Sequence, residues 1–145
     1  MANKTNEMRG ELVIRVFRRG VLVDHIHEPN MIMSVAKDVL ARLIAGDGAG
    51  KTVTRVGFGT SGQAASPDDT GLTNPYIKPL SGHLYPGPGV VRFNWQLAEG
   101  EANGMVILEL GLITADGLLF ARKVRAGGIE KAPDISLDSY WEITF

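Results

Sequence analysis

The sequence predicts a mainly β protein: an antiparallel β-sandwich or jelly-roll-like pair of sheets, with one amphipathic α-helix at about residues 31–46. Three observations lead to this prediction. The chain has 18 glycines and 7 prolines among 145 residues, too many breaks for a bundle of long helices. Most apolar segments are short and alternate with polar residues, which is the two-residue period of a strand. Only the segment that follows residue 30 places its apolar residues at three- and four-residue spacing.

The N-terminal part of the chain predicts a β-hairpin followed by the helix. Apolar and polar residues alternate over residues 11–18, Arg19-Gly20 is a turn signal, and residues 21–27 predict the returning strand. Ser34 is the expected N-cap of the helix. Gly46 is expected to end the helix in the left-handed conformation, which glycine adopts without steric cost.

The rest of the chain predicts strands separated by loops. Residues 60–75 are expected to form a long polar loop. Residues 82–89 are expected to hold no regular structure for long, because Pro86 and Pro88 each lack an amide donor. The predicted strands cover residues 52–59, 75–80, 90–97, 105–113, 118–125 and 135–145.

Length and composition fit one domain. A chain of 145 residues with 44% hydrophobic and 21% charged residues can bury one core but not two full ones. We expect residues 1–10 to form a mobile N-terminal arm and residues 11–145 a single β-rich domain. The polar start lacks the apolar core of a signal peptide, and no apolar run approaches the roughly 20 residues of a membrane span. We therefore expect synthesis in the cytoplasm and no membrane partner.

Charge and cysteine content exclude several kinds of function. The net charge of −1 lacks the basic surplus of a generic nucleic-acid-binding protein, so no nucleic-acid partner is expected. The chain has no cysteine, which excludes disulfides, thiolate metal sites and a cysteine nucleophile.

Two glycine-rich motifs match nucleotide-binding patterns. Residues 45–52 (AGDGAGKT) fit a loosened phosphate loop, with Lys51 and Thr52 at the lysine and hydroxyl positions. Residues 57–62 (GFGTSG) fit the dinucleotide-binding pattern. The first motif follows a predicted helix and precedes a strand, and the second leads into a polar loop, so neither points a helix N-terminus at a phosphate. We interpret both as connecting segments and expect no cofactor.

Candidate metal ligands occur in two places. His25 and His27 share one face of a predicted strand beside Asp24 and Glu28, and zinc or iron binds such donors. Four acidic loop residues offer oxygen ligands to calcium but lack the spacing of a known calcium loop: Asp68, Asp69, Glu99 and Glu101. We interpret both groups as exposed polar residues, and predict no metal site and no catalytic residue. An enzyme that uses the His25/His27 pair with a metal is a rival hypothesis.

The aromatic residues divide into core and surface groups. Phe93, Trp95, Trp141 and Phe145 alternate along predicted strands and are expected in the core. Tyrosine is enriched at interfaces, and subunit contacts are expected in the two long loops. The candidate interaction residues are Tyr76, His83, Tyr85, Asp68 and Asp69.

A succession of short segments carries a resemblance to a known group of proteins. The segments are NMIM (30–33), LARLIAGD (40–47), VTRVGFGT (53–60), DTGLTN (69–74), EANG (101–104), LELGL (108–112), DGLLFAR (116–122), IEK (129–131), ISL (135–137) and WEITF (141–145). In this order, from about residue 30 to the end, they resemble the small tail-fibre and baseplate-associated structural proteins of tailed bacteriophages and prophages.

This resemblance implies a non-enzymatic virion protein, made in the bacterial cytoplasm. It would act as a tail-fibre, adaptor or baseplate component that self-associates, with a trimer as the symmetry suggested by tail fibres, and that docks other phage structural proteins. Two alternatives stay open. One is a capsid decoration protein. The other is a module that binds a host-surface glycan through Tyr85, His83 and the loop of residues 60–75.

Overall fold

Nine antiparallel strands and one helix make up the fold in a computed structural model that describes residues 7–145, which confirms the predicted fold class. The elements are β1 (Arg9–Arg18), β2 (Val21–Ile32), α1 (Val35–Ala45), β3 (Val53–Gly59), β4 (Tyr76–Pro79), β5 (Gly82–Gly87), β6 (Val90–Leu97), β7 (Val106–Thr114), β8 (Leu119–Glu130) and β9 (Ile135–Thr144). The predicted N-terminal arm falls mostly on residues 1–6, which lie outside the described residues. Arg9 and Gly10 already belong to β1.

The strands form one continuous sheet in the order β4-β3-β7-β8-β2-β1-β9-β6-β5, curled into two facing halves. We call β5, β6, β9, β1 and β2 the first half-sheet, and β2, β8, β7, β3 and β4 the second. β2 joins them: it pairs with β1 along most of its length, but only Met31 and Ile32 pair with β8. The halves also meet between β4 and β5. There Leu80 N–H donates to the Thr54 carbonyl and Ser81 N–H donates to the Asn94 carbonyl.

The hydrophobic core fills the space between the two half-sheets. Phe58 on β3 and Trp95 on β6 meet edge to face across it, with ring centroids 5.0 Å apart. Trp95 and Trp141 are buried, as predicted, and Phe93 packs partly buried against the core. Phe145 does not follow the prediction: it lies just beyond β9 and is 47% exposed.

The helix is shorter than predicted at its start. Residues 31 and 32 belong to β2, and Met33 N–H donates to the Phe120 carbonyl, so this backbone is engaged by strand β8. Ser34 precedes the helix but makes no side-chain capping hydrogen bond. Gly46 ends the helix in the left-handed conformation at φ 85°, as predicted.

Residues 82–87 form a six-residue strand, which corrects the expectation that residues 82–89 hold no regular structure for long. β5 pairs with β6 from Gly82 to Leu84, and the register then shifts before Gly87 pairs with Val90. β5 is the last strand of the sheet, so Pro86 sits at an edge and in a bulge, where a missing amide donor is tolerated.

Candidate functional site

The five candidate interaction residues do not form one site. Asp68, Asp69 and Tyr76 lie in or next to the loop of residues 60–75 and are engaged in contacts within the chain. His83 and Tyr85 lie together on β5, with ring centroids 5.6 Å apart. His83 and Tyr85 border a largely apolar cavity, whereas Asp68 and Asp69 border a smaller one of about 190 Å³.

Asp69 anchors its loop to a buried ion-pair network. Its carboxylate accepts hydrogen bonds from Ser66 N–H and from the Arg122 guanidinium, both at 2.8 Å. The Ser66 amide, followed by Arg122, holds the pKa of Asp69 below its usual range. The neighbouring Asp68 accepts a hydrogen bond from the Ser34 hydroxyl at 3.3 Å. Both carboxylates therefore hold the loop in place.

Glu109 and Arg122 are the centre of this network, and the sequence analysis missed them. Both are almost fully buried, on neighbouring strands β7 and β8, and Arg122 Nε donates to Glu109 Oε1 at 3.0 Å. The other oxygen of Glu109 accepts hydrogen bonds from Ser61 N–H and Thr73 N–H, the two ends of the polar loop. The only signal in the sequence is a lone carboxylate inside an apolar strand.

Tyr76 belongs to a second internal network. Its hydroxyl donates to Glu101 at 2.7 Å, and Lys78 binds the same carboxylate at 2.7 Å. This hydrogen bond to Glu101 raises the pKa of Tyr76. Burial raises the pKa of Glu101, but the hydrogen bonds from Lys78, Ala98 N–H and Tyr76 outweigh it and lower that pKa to about 2. The network ties edge strand β4 to the turn between β6 and β7.

A buried lysine holds that turn from its other side. Lys131 is 2% exposed, and its ammonium donates to the carbonyls of Glu99 and Ala132 and to the side chain of Asn103, at 2.9–3.2 Å. Burial lowers the pKa of Lys131. The sequence analysis did not identify this residue either.

The two glycine-rich motifs serve packing. In the first, Lys51 is bound to Asp116 at 2.5 Å and closes the connection against the turn between β7 and β8. In the second, a side chain at Gly57 would collide with Leu72, and one at Gly59 would collide with the carboxylate of Glu109. Both glycines let the polar loop and its anchor approach β3. The structure thus gives each motif a packing role.

Within the described residues, the histidines on β2 belong to no set of metal ligands. His27 contacts Glu11 at 2.9 Å, and His25 is exposed. Among residues 7–145, no group of three or more histidine and carboxylate side chains is close enough to hold a metal ion.

One of several open cavities, which we call the mouth, lies at one end of the curled sheet. It has a volume of about 310 Å³, between α1 on one side and strands β5, β6 and β9 on the other. Most of its lining is apolar, and the polar side chains at its rim are Lys51, Thr52, His83 and the hydroxyl of Tyr85. Four large exposed apolar side chains on the surrounding elements form what we call the mouth patch: Leu43, Ile44, Tyr85 and Phe145, exposed by 37, 87, 72 and 47%.

A second apolar surface lies at the start of β2. Val21, Leu22 and Val23 are 65, 51 and 55% exposed, and we call them the tip patch. They follow the β1–β2 turn, where Arg19 and Gly20 have positive φ values of 50° and 78°. β2 pairs with β1 on one side here, and its pairing with β8 is confined to Met31 and Ile32. Among residues 7–145, no strand therefore pairs with the other edge of the tip patch.

Comparisons with known proteins add no relative. No family model matches the chain, and no curated protein or solved structure matches it significantly. In the part of the chain that the structure describes, no helix has the length and hydrophobicity to span a membrane.

Proposed function

We propose that the protein is a non-enzymatic structural component of a tailed-phage or prophage particle, which self-associates and docks neighbouring particle proteins. The observation that carries this proposal is the clustering of exposed apolar side chains into the mouth patch and the tip patch. Leu43, Tyr85 and Phe145 line one cavity, and Val21–Val23 follow one another along a strand. Large exposed apolar side chains grouped in this way mark contact sites in soluble proteins. The placement in a phage particle rests on the resemblance of the sequence to tail-fibre and baseplate-associated proteins.

The roles of the buried charged groups support an assembly protein over an enzyme. Three charged side chains are almost fully buried: Glu109, Arg122 and Lys131. Each forms hydrogen bonds to backbone groups of loops or turns. A catalytic acid or base needs a proton within reach of a substrate. These side chains instead give rigid loops, which a repeating assembly requires.

The proposal is tested by finding the protein in particles and measuring its association. We expect mass spectrometry to detect it in purified particles from the producing strain, and light scattering to show oligomers of the isolated protein or assembly with a particle partner. Separated tails and heads then distinguish a tail component from a capsid decoration protein. A strictly monomeric protein that is missing from purified particles contradicts the proposal.

A host-surface glycan-binding module is the second candidate. The observation that favours it is the exposed Tyr85 ring beside His83, because sugars stack on exposed aromatic faces. On this hypothesis, the isolated protein binds a surface glycan saturably, and Tyr85→Ala abolishes the binding. Leu84→Ala is the matched control, since Leu84 is 43% exposed on the same strand but its side chain alternates to the other face. Equal binding by both variants contradicts the glycan hypothesis.

A further inference from the structure

We propose that Asn103 is a site of spontaneous deamidation, and that the carboxylate formed there pairs with the buried Lys131. The modification takes place within one chain and does not depend on the proposed function. Three features of the turn between β6 and β7 support it: its sequence, its open surroundings and the buried charge beside it.

The sequence of this turn favours the reaction. Asn103 is the one asparagine of the chain that is followed by glycine. In deamidation, the backbone nitrogen of the next residue attacks the side-chain amide carbon of asparagine, and glycine hinders that attack least because it has no β-carbon. Asn74 precedes a proline, whose nitrogen carries no hydrogen. Asn30 and Asn94 lie inside strands β2 and β6.

The surroundings of the turn are open. Asn103 and Gly104 are both exposed, and Gly104 has a positive φ of 86°. A side chain added at Gly104 would meet no atom within 4 Å, so nothing packs on the turn at this point. Gly104 N–H donates to the Lys131 carbonyl at 2.8 Å, and this hydrogen bond must open before the nitrogen reacts. Exposed turns with few packing contacts open locally at low cost.

The amide of Asn103 lies beside a buried positive charge. Lys131 Nζ donates to Asn103 Oδ1 at 2.9 Å, and its two other acceptors are backbone carbonyl oxygens. Burial lowers the pKa of Lys131, while the more distant charges of Glu101, Glu99 and Asp134 raise it. A buried ammonium whose hydrogen-bond acceptors are all uncharged retains part of its desolvation cost, which a carboxylate in contact with it would reduce.

The reaction needs only the chain and water. The Gly104 nitrogen loses its proton to solvent and bonds to Cγ of Asn103, and the Cγ–Nδ2 bond breaks to release ammonia. The Lys131 ammonium stabilises the negative charge that develops on Oδ1 as this ring forms. Water then opens the ring at either of its two carbonyl carbons, which gives aspartate or isoaspartate and one new carboxylate.

The new carboxylate should stabilise the turn. Asn103 is exposed, so a charge at this position keeps much of its hydration. Lys131 is only 2% exposed and is already desolvated. A charged acceptor binds its ammonium more strongly than an amide oxygen does. We therefore expect the chain that has aspartate at this position to be more stable than the chain as translated.

Peptide mapping by mass spectrometry tests the site. Purified wild-type protein is kept at mildly alkaline pH and physiological temperature and is sampled over several weeks. We expect a time-dependent mass gain of about 1 Da in the peptide that contains Asn103, because a carboxylate replaces an amide. Peptides that contain Asn30, Asn74 or Asn94 are internal controls and should keep their mass. No gain at Asn103, or an equally fast gain at a control asparagine, overturns the proposal.

Urea denaturation tests the pairing. Asn103→Asp supplies the carboxylate directly and should unfold at a higher urea concentration than wild type, whereas Asn103→Ala should unfold at a lower one. In a Lys131→Met background, Asn103→Asp should bring no gain, since the ion pair is what couples the two positions. A midpoint of Asn103→Asp at or below that of wild type overturns the pairing, and so does a gain that persists in Lys131→Met.

Salt dependence decides the pairing if Lys131→Met does not fold. The gain of Asn103→Asp over wild type should shrink as the salt concentration rises, because ions screen a pair that is partly exposed. A gain that stays constant with salt overturns the pairing. None of these results bears on whether the protein is present in purified particles.

Discussion

At the scale of single residues, the buried carboxylate of Glu109 connects strand β8 to both ends of the polar loop. The sequence analysis did not select this residue. One carboxylate, 1% exposed, satisfies Arg122 and the backbone amides at both ends of a sixteen-residue loop, residues 60–75. A buried ion pair recovers its desolvation cost only when its remaining hydrogen-bonding groups are also satisfied. Here Asp69 and the Gln63 carbonyl satisfy the other nitrogens of Arg122. The pair therefore gives the loop one conformation.

Removal of this carboxylate is expected to be costly. Glu109→Ala leaves the Arg122 guanidinium buried without its main partner, which should lower the free energy of unfolding by about 3–5 kcal/mol. Arg15→Ala is the matched control, because the Arg15–Asp138 pair is about half exposed and should contribute at most about 1 kcal/mol. Urea denaturation of both variants measures the difference. Equal midpoints would show that burial of the pair is energetically unimportant.

Two glycines of one motif should differ in their tolerance of a side chain. Gly59 pairs directly with Glu109 across the strands, and a methyl group there would collide with the carboxylate, so Gly59→Ala should cost about 1–3 kcal/mol. At Gly62 a methyl group would meet only Leu108, at 3.8 Å, and Gly62→Ala should stay within about 0.5 kcal/mol of wild type. Thermal unfolding of both variants is the measurement. Similar losses at Gly59 and Gly62 would contradict the packing role of Gly59.

At the scale of the elements, the sequence predicts those strands in which apolar and polar residues alternate. The sequences of β6 and β9 have two-residue periods, and both segments are strands. Burial alternates along all of β9 but only over Trp95–Leu97 in β6. The strand β5 was missed because Pro86 argues against a ladder, and only the position at a sheet edge removes that objection. The predicted start of the helix is wrong because residues 31 and 32 pair with β8, about 90 residues later in the chain. The five candidate residues fall into two separate groups for the same reason. No neighbouring residue in the sequence indicates that Asp69 binds the buried Arg122.

The tie between β4 and the β6–β7 turn predicts a specific pH dependence. Folding lowers the pKa of Glu101 from 4.5 to about 2, so its ionised form stabilises the fold above about pH 4.5, and this contribution is lost as the pH falls towards 2. Glu101→Gln should therefore lower the free energy of unfolding at pH 7 by about 1–2 kcal/mol, a figure reduced because the side chain is a quarter exposed. The gap between variant and wild type should close near pH 2.

Urea denaturation between pH 2 and 7 measures this gap. Glu99→Gln is the control in the same turn, since its side chain is exposed and should leave the pH profile unchanged. A constant difference between Glu101→Gln and wild type at every pH would show that the carboxylate of Glu101 does not titrate with folding.

At the scale of the whole molecule, the fold class was predictable and the strand order was not. Fold class depends on composition and period, which are properties of each segment alone. Strand order depends on which distant segments pair, and here the sequence neighbours β1 and β2 lie in the middle of the sheet, while β4 and β5 lie at its two edges. The exposed apolar patches depend on that order, since they occur where the curled sheet leaves an open end and a free strand edge.

The pairing of β1 with β9 also has a consequence for how the protein is made. β1 and β2 are translated first and form a local hairpin, but the second neighbour of β1 is β9, more than 115 residues later in the chain. The edge of β1 that pairs with β9 therefore stays unpaired until nearly all of the domain has emerged from the ribosome. Because unpaired strand edges aggregate, the time between synthesis of β1 and arrival of β9 is the vulnerable period in the life of this chain.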